Sequence, residues 1–221
     1  MSHPERVDVP GRPRGKEELE HLARYRWAAG IVGGDVLDIA CGTGYGTSVL
    51  PGDVVGIDRD PDAVALARRR SGHRFICAEF PPIPLEDDGV DFAVCFETLE
   101  HVEDDTGLMR ELRRVVRPSG RLLISSPNAD VASANGKPVN EWHVREYDLG
   151  GLRKLVSAAG FPRQTVFRQG FLPRIPRGHR LLWRVNALLG GVSVGRGLVG
   201  DAAVRSGADG SPGYWILDAT A

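Results

Sequence analysis

No run in this 221-residue sequence approaches the ~20 consecutive apolar residues that a helix needs to cross a bilayer. The opening Met1-Ser-His-Pro-Glu-Arg lacks the apolar centre of a secretion signal. Cysteine is scarce: there are three (Cys41, Cys77 and Cys95), an odd number, each in or beside an apolar stretch. That argues against a disulfide framework and for buried free thiols in a reducing compartment. There is no internal repeat and no obvious RNA-binding module, so nucleic acid is disfavoured as a partner. These absences predict a cytoplasmic protein that works away from the membrane.

What is present is ordinary in amount and uneven in placement. Hydrophobic residues make up 42% and charged residues 26%, which suits one soluble domain with a substantial core. Net charge is −1, yet residues 1–150 carry 18 basic and 26 acidic side chains, and residues 151–221 carry 10 basic and 3 acidic. The plain reading is solvated surface arginines. The sharper one has Arg163, Arg168, Arg174, Arg177, Arg180 and Arg184 holding an acidic or phosphorylated small-molecule acceptor.

The most informative stretch is Val36-Leu-Asp-Ile-Ala-Cys-Gly-Thr-Gly-Tyr-Gly46, followed by Val54-Val-Gly-Ile-Asp58. An apolar run ends in a glycine-rich turn, and a second apolar run ends in an acid. This reads as strand, turn, helix, strand, a unit that receives a nucleoside: the backbone approaches the ligand and the acid takes ribose hydroxyls. A dinucleotide site would want Gly-x-Gly-x-x-Gly, whereas Gly42, Gly44 and Gly46 alternate and position 47 is Thr. Asp38, inside the end of the first strand, would repel a diphosphate. A cationic ligand without phosphate, such as S-adenosylmethionine, suits that acid better.

On these residues the chain resembles the class I S-adenosylmethionine-dependent methyltransferases, whose motif I matches 36–46. A second match is Glu111-Leu-Arg-Arg-Val-Val-Arg-Pro-Ser-Gly-Arg-Leu-Leu-Ile124, similar to the family's motif III. The resemblance implies a Rossmann-like, doubly wound α/β fold: a seven-stranded, mostly parallel sheet whose antiparallel last strand inserts between strands five and six. It implies that Asp38, Ala40, Gly42, Gly44, Asp58 and Arg59 hold the cofactor. Glu79 and Phe80, at the exit of strand three, would take the adenine, and Phe96 ends strand four beside it. Ala40 stands where many members have Gly, which suits a strand-like conformation. The segment 20–28 looks like the family's N-terminal helix, which would bring Tyr25 to the methionine carboxylate.

Along the chain, residues 1–15 read as a disordered segment and 16–221 as one methyltransferase domain, with 172–212 a lid-like, substrate-facing insertion. Helices are expected over 16–29, 45–50, from Pro61 to the 68–70 arginines, 108–116, 149–159 and 177–189. Strands are expected near 36–39, 54–58, 74–78, 91–96, 121–126, 164–171 and 213–219, with a long loop over 127–147.

Candidate chemistry sits in Phe96-Glu-Thr-Leu-Glu-His101 and Asn140-Glu-Trp-His-Val-Arg-Glu-Tyr147. On a helical turn after strand four, Glu97, Glu100 and His101 share one face by their i, i+3, i+4 spacing. His143 follows strand five, also at the ligand edge. Two carboxylates and two imidazoles suit a divalent ion such as Mg or Mn with open positions. The pattern resembles the metal site of small-RNA 3′-terminal 2′-O-methyltransferases, which implies Glu97, Glu100, His101 and His143 as ligands, and also a motif of ubiquinone-pathway O-methyltransferases. In metal-free relatives His101 would be the base. The expected reaction is O-methylation of a small hydroxylated metabolite (a sugar, glycoside or aromatic diol) with His101 and His143 handling the proton. The rivals are N-methylation of an amino sugar, a metal-dependent RNA 2′-O-methyltransferase, and a non-enzymatic cofactor-binding scaffold. The glycine spacing disfavours an NAD-dependent oxidoreductase.

Overall fold

A computed structural model describes residues 16–134, 137–171, 203–208 and 212–221. Helix α1 (Lys16–Ala29) leads into strand β1 (Asp35–Ile39), the glycine turn, β2 (Asp53–Asp58), α2 (Pro61–Arg70), β3 (Arg74–Cys77) and β4 (Val90–Cys95). Then come α3 (Asp105–Val115), β5 (Val116–Pro127), the four-residue α4 (Ala129–Ala132), and the small hairpin β6 (Ser133–Ala134) and β7 (Lys137–Pro138). Helix α5 (Leu149–Ala158), β8 (Arg163–Phe171), the two-residue β9 (Arg205–Ser206) and β10 (Pro212–Thr220) complete the order.

The main sheet has eight strands in the order β3-β2-β1-β4-β5-β10-β8-β9. Strands β1 to β5 are parallel, and β10 runs antiparallel between β5 and β8. This is the expected fold with one short extra edge strand, β9. The chain reverses direction of travel across the sheet between β1 and β4, and that switch point opens a crevice at the carboxyl ends of the strands.

Side chains alternate across the strands with period two, so each parallel strand feeds two cores. Leu37, Ile39, Ala93, Cys95, Leu122 and Ile124 pack with Leu108, Leu112, Leu152 and Val156 of α3 and α5. Val36, Val94, Phe96 and Leu123 pack on the other face with Tyr25 and Ala28 of α1. Asp38 shares the parity of Val36 and so lies on the α1 face.

Local signals account for the helix boundaries. Asp60 caps α2 by accepting from the amides of Asp62 and Ala63, with Pro61 in the first turn. Asp104 caps α3 and Asp148 caps α5 in the same way. The Glu111 and Arg114 pair of motif III latches the loop before β4: Glu111 accepts from the Ile83 amide at 2.9 Å, and Arg114 donates to the Ile83 and Leu85 carbonyls, both at 2.8 Å.

Several expectations change. The helix expected over 45–50 is a single 3-10 turn, Thr47–Val49, because Pro51 stops it before propagation can offset the cost of nucleation. The loop 127–147 contains α4 and the β6–β7 hairpin. Cys77, expected buried, is exposed, whereas Cys41 and Cys95 are buried; all three are free. Residues 1–15 and most of 172–212, with the helix expected over 177–189 and Arg174, Arg177, Arg180 and Arg184, lie outside the described residues. No helix among the described residues is long and apolar enough to cross a membrane.

Candidate active site

The glycine turn leaves β1 at the switch point. Gly42 has φ +54, and a Cβ there would meet nothing within 4 Å, so the turn faces open space. Its amide donates to Oδ2 of Asp58 at 2.8 Å, while Oδ1 of Asp58 accepts from the Asp60 amide at 2.9 Å. These bonds aim the carboxylate along the turn. Gly46 has a different reason: a Cβ there would sit 2.3 Å from the Tyr25 ring, so its absence lets α1 close over the turn.

Asp38 is completely buried and accepts two hydrogen bonds, from Tyr25 Oη at 2.9 Å and Thr47 Oγ1 at 2.6 Å. Burial pushes its pKa up to about 7, against the lowering effect of those donors. Tyr25, expected at the methionine carboxylate, gives its hydroxyl hydrogen bond to Asp38 in this structure. Burial also pushes the Tyr25 phenol well above its ordinary value, so it remains a donor. Ala40 has φ +59, the left-handed region rather than the strand-like conformation expected of it. Phe96 is buried edge-on to Tyr25, with ring centres 5.3 Å apart. Arg59 and Glu79 are exposed, and Phe80 is half-buried against the main core.

The residues present fit S-adenosylmethionine. The turn is open at Gly42, the acids Asp38 and Asp58 flank it while Arg70 donates to Thr43 within it, and Asp58 is presented where ribose hydroxyls would lie. A cleft of about 470 Å³ lined by Asp35, Asp53, His73, Arg74 and Glu86 lies at the amino ends of the strands, opposite this chemistry.

Backbone bonds bring the two candidate motifs together. The Val144 amide donates to the Glu100 carbonyl at 2.8 Å, and Arg145 donates to the carbonyls of Val102 and Glu103, both at 2.8 Å. His101 Nδ1 lies 3.1 Å from the Trp142 carbonyl. A carbonyl can only accept, so Nδ1 carries the proton. The rings of His101 and His143 meet edge to face at 4.9 Å. Ligand atoms of Glu100, His101 and His143 lie within 4.8 Å of one another. The Glu100 carboxylate is fully buried, and neither oxygen has a hydrogen-bond partner among the described residues. Burial, then the neighbouring Glu97, raises its pKa well above the usual carboxylate value.

Glu97 does not join this group. The segment after β4 forms a 3-10 turn over Leu99–His101 rather than the α-turn expected, and Glu97 itself adopts φ +49. Its carboxylate turns to Arg24 at 3.0 Å and accepts from Ser125 Oγ at 2.8 Å. Of the four expected metal ligands, three converge and one faces α1. Arg163 stands at the amino end of β8, the opposite end from the site.

Two residues escaped the sequence reading. Arg24 is buried with its guanidinium 4.3 Å over the Tyr214 ring, one helical turn from the equally buried Glu20; among the many charges of α1 nothing local singled it out. Glu146 accepts from His143 Nδ1 at 2.7 Å, and its place three residues after His143 was the available clue.

Residues 37–124 match the methyltransferase domain family. A probable S-adenosylmethionine-dependent methyltransferase of Mycobacterium tuberculosis is 37% identical over 132 residues, 58% of this chain and 48% of that protein. A ubiquinone biosynthesis O-methyltransferase of Aeromonas salmonicida is 30% identical over 110 residues, 46% of each. The chain thus spans about half the length of the curated relatives it matches. Among solved structures, a methyltransferase of Thermotoga maritima superposes with a TM-score of 0.69 at 18% identity, covering 93% of this chain and 91% of that one.

Proposed function

We propose that the chain is a class I S-adenosylmethionine-dependent methyltransferase, a reading supported by the matched methyltransferase domain and the relatives above, and that it methylates a hydroxyl oxygen of a small molecule. The observation that carries this reading is the pair of imidazoles at the carboxyl end of the sheet, 4.9 Å apart and each hydrogen-bonded through Nδ1. When bound, S-adenosylmethionine supplies an activated methyl carbon on a sulfonium. Asp58 and the turn at Gly42 fix the adenosyl end, and Asp38 places negative charge behind the turn. His101 and His143 stand where an acceptor hydroxyl would lose its proton as its oxygen bonds to carbon. An amine acceptor would need no such base. The ubiquinone-pathway relative is an O-methyltransferase by name, which supports oxygen over nitrogen. We place the reaction in the cytoplasm, consistent with three free thiols.

A second reading puts a divalent cation on Glu100, His101 and His143. It is favoured by the buried Glu100 carboxylate, which has no hydrogen-bond partner among the described residues and lies beside two imidazoles. Three ligands of one ion at ~2.1 Å stand roughly 3.0–3.6 Å apart, so an ion would draw these atoms, within 4.8 Å of one another, closer together. Such an ion would lower the pKa of a bound hydroxyl.

The test is a turnover screen of sugars, glycosides and aromatic diols, with acidic and phosphorylated members included because of the basic carboxyl-terminal stretch. It is run with and without chelator, beside metal analysis of the purified protein. His101→Gln and His143→Gln should each cut turnover roughly 10²–10⁴-fold, the usual worth of a positioned base, with donor affinity unchanged. Activity indifferent to chelator removes the cation. Activity on an amino sugar that survives both substitutions favours N-methylation. Tight donor binding with no turnover favours a scaffold, and RNA binding that weakens steeply with salt favours a 2′-O-methyltransferase.

A further inference from the structure

Glu146 lies within the second candidate motif but has been given no role in the chemistry, yet its side chain is 1% exposed and both of its oxygens are engaged. Oε1 lies 2.7 Å from His143 Nδ1, and Oε2 accepts from Ser133 Oγ at 2.6 Å. On the other side of the ring, His143 Nε2 lies 3.0 Å from Asn140 Nδ2. The orientation of that amide is set by its own oxygen, which accepts from the Trp142 backbone amide at 3.0 Å. Asn140 therefore presents N–H to His143, and Nε2 must be the accepting nitrogen. A carboxylate cannot donate, so Nδ1 must carry the proton. Both sides of the ring demand the same tautomer, the reverse of the Nε2–H form that an unconstrained neutral histidine favours.

We infer that Glu146 is a positioning residue: its buried carboxylate holds the His143 proton on Nδ1 and leaves the Nε2 lone pair as the working atom of the ring. The role suits either reading of the site. A base oriented by a carboxylate is the logic of the catalytic dyad, and a histidine that ligates through Nε2 usually donates its other N–H to such a group. Ser133 extends the chain to the β6–β7 hairpin, so the hairpin fixes the carboxylate and the carboxylate fixes the ring. In acceptor turnover, an arriving hydroxyl would replace the weak Asn140 donor at Nε2. The inference rests on the proposed role of His143 in catalysis, but the arrangement can be tested without an acceptor.

The experiment is a long-range proton–nitrogen correlation spectrum of chelator-treated protein labelled with ¹⁵N-histidine. It is recorded at about pH 8.5, some two units above the ordinary imidazole pKa of about 6.5, with His143 assigned through His143→Gln. Wild type should show a protonated Nδ1 and a bare Nε2. Glu146→Leu should move the signal toward the Nε2–H form, whereas Glu146→Gln, which keeps an accepting oxygen of equal reach, should restore it. Asn140→Ala should leave the signature in place, because the carboxylate sets it; loss of the signature there overturns the assignment. So does an Nε2–H wild type, whether or not Glu146→Leu folds. A Glu146→Leu protein with a lower melting temperature and an unmoved tautomer gives Glu146 a purely structural role. Donor binding by calorimetry reads the methyltransferase assignment separately, so failure of one leaves the other standing.

Discussion

Tyr25 Oη donates to Asp38 Oδ1 across 2.9 Å, in a place where neither residue is more than 3% exposed. This bond joins the helix that covers the site to the strand that leads into the glycine turn. It also explains the third glycine of the alternating set, since the same ring occupies the space a Gly46 side chain would need. Tyr25→Phe should cost about 1–2 kcal/mol, because a buried acceptor loses one of its two donors. Denaturant unfolding of the two proteins measures this directly.

The same environment makes Asp38 a titrating group near neutrality. Its pKa is about 7 in the folded protein against an ordinary 3.8. The folded state thus holds this proton more tightly than the unfolded chain. The stability Asp38 contributes is complete below its unfolded value and is lost as pH rises toward 7, with a slope of at most about 1.4 kcal/mol per pH unit. Donor binding should run the other way. A cationic ligand favours the ionised acid, so affinity for S-adenosylmethionine should increase with pH, by up to about tenfold per unit, and level off above 7. Asp38→Asn should flatten both curves. Calorimetric titrations of donor across the range test it, and an unchanged slope in Asp38→Asn would assign the dependence to another group.

Ala40 offers a stability gain. At φ +59 it occupies the left-handed region, where a Cβ costs roughly 1–2 kcal/mol. Glycine removes that strain but gives the unfolded chain more freedom, worth about 0.4–1 kcal/mol. Ala40→Gly should therefore stabilise by about 0.5–1 kcal/mol, or a few degrees in melting temperature for a domain of this size. Scanning calorimetry would show the gain, and a fall in melting temperature would mean that the turn relaxes in solution.

The parts legible in the sequence were those written in local chemistry. Pro61 announced the start of α2, and the apolar runs announced the strands. The insertion of β10 between β5 and β8 came from the family resemblance. What escaped depends on contacts distant in sequence. Tyr25 could be placed on a covering helix, but its partner is fixed by tertiary closure onto Asp38, 13 residues away. Glu97 looked like a ligand by spacing alone; the 3-10 geometry of Leu99–His101 and the positive φ of Glu97 break the helical face that spacing assumed. Glu146 could not be valued until the hairpin that supplies Ser133 was visible.

The Arg24–Glu97 pair gives the sharpest separation between structural and chemical roles at this edge of the sheet. The two side chains are 2% and 18% exposed, and Arg24 Nε has no hydrogen-bond partner among the described residues, so the guanidinium leans on Glu97 and on the Tyr214 ring. Removing one member of a buried pair leaves the other charge without compensation, at a cost of about 3–5 kcal/mol. Glu97→Gln should show a large share of that loss, and Arg24→Met most of it. The double variant Arg24→Met with Glu97→Gln should be more stable than the sum of the single losses predicts, since neither member of the pair is left facing the loss of the other, although the buried Glu20 still loses Arg24. Metal affinity, if the purified protein binds an ion, should be unchanged in Glu97→Gln and lost in Glu100→Gln. An ion released by the Glu97 substitution at preserved fold would return that carboxylate to the ligand set and require it to swing away from Arg24.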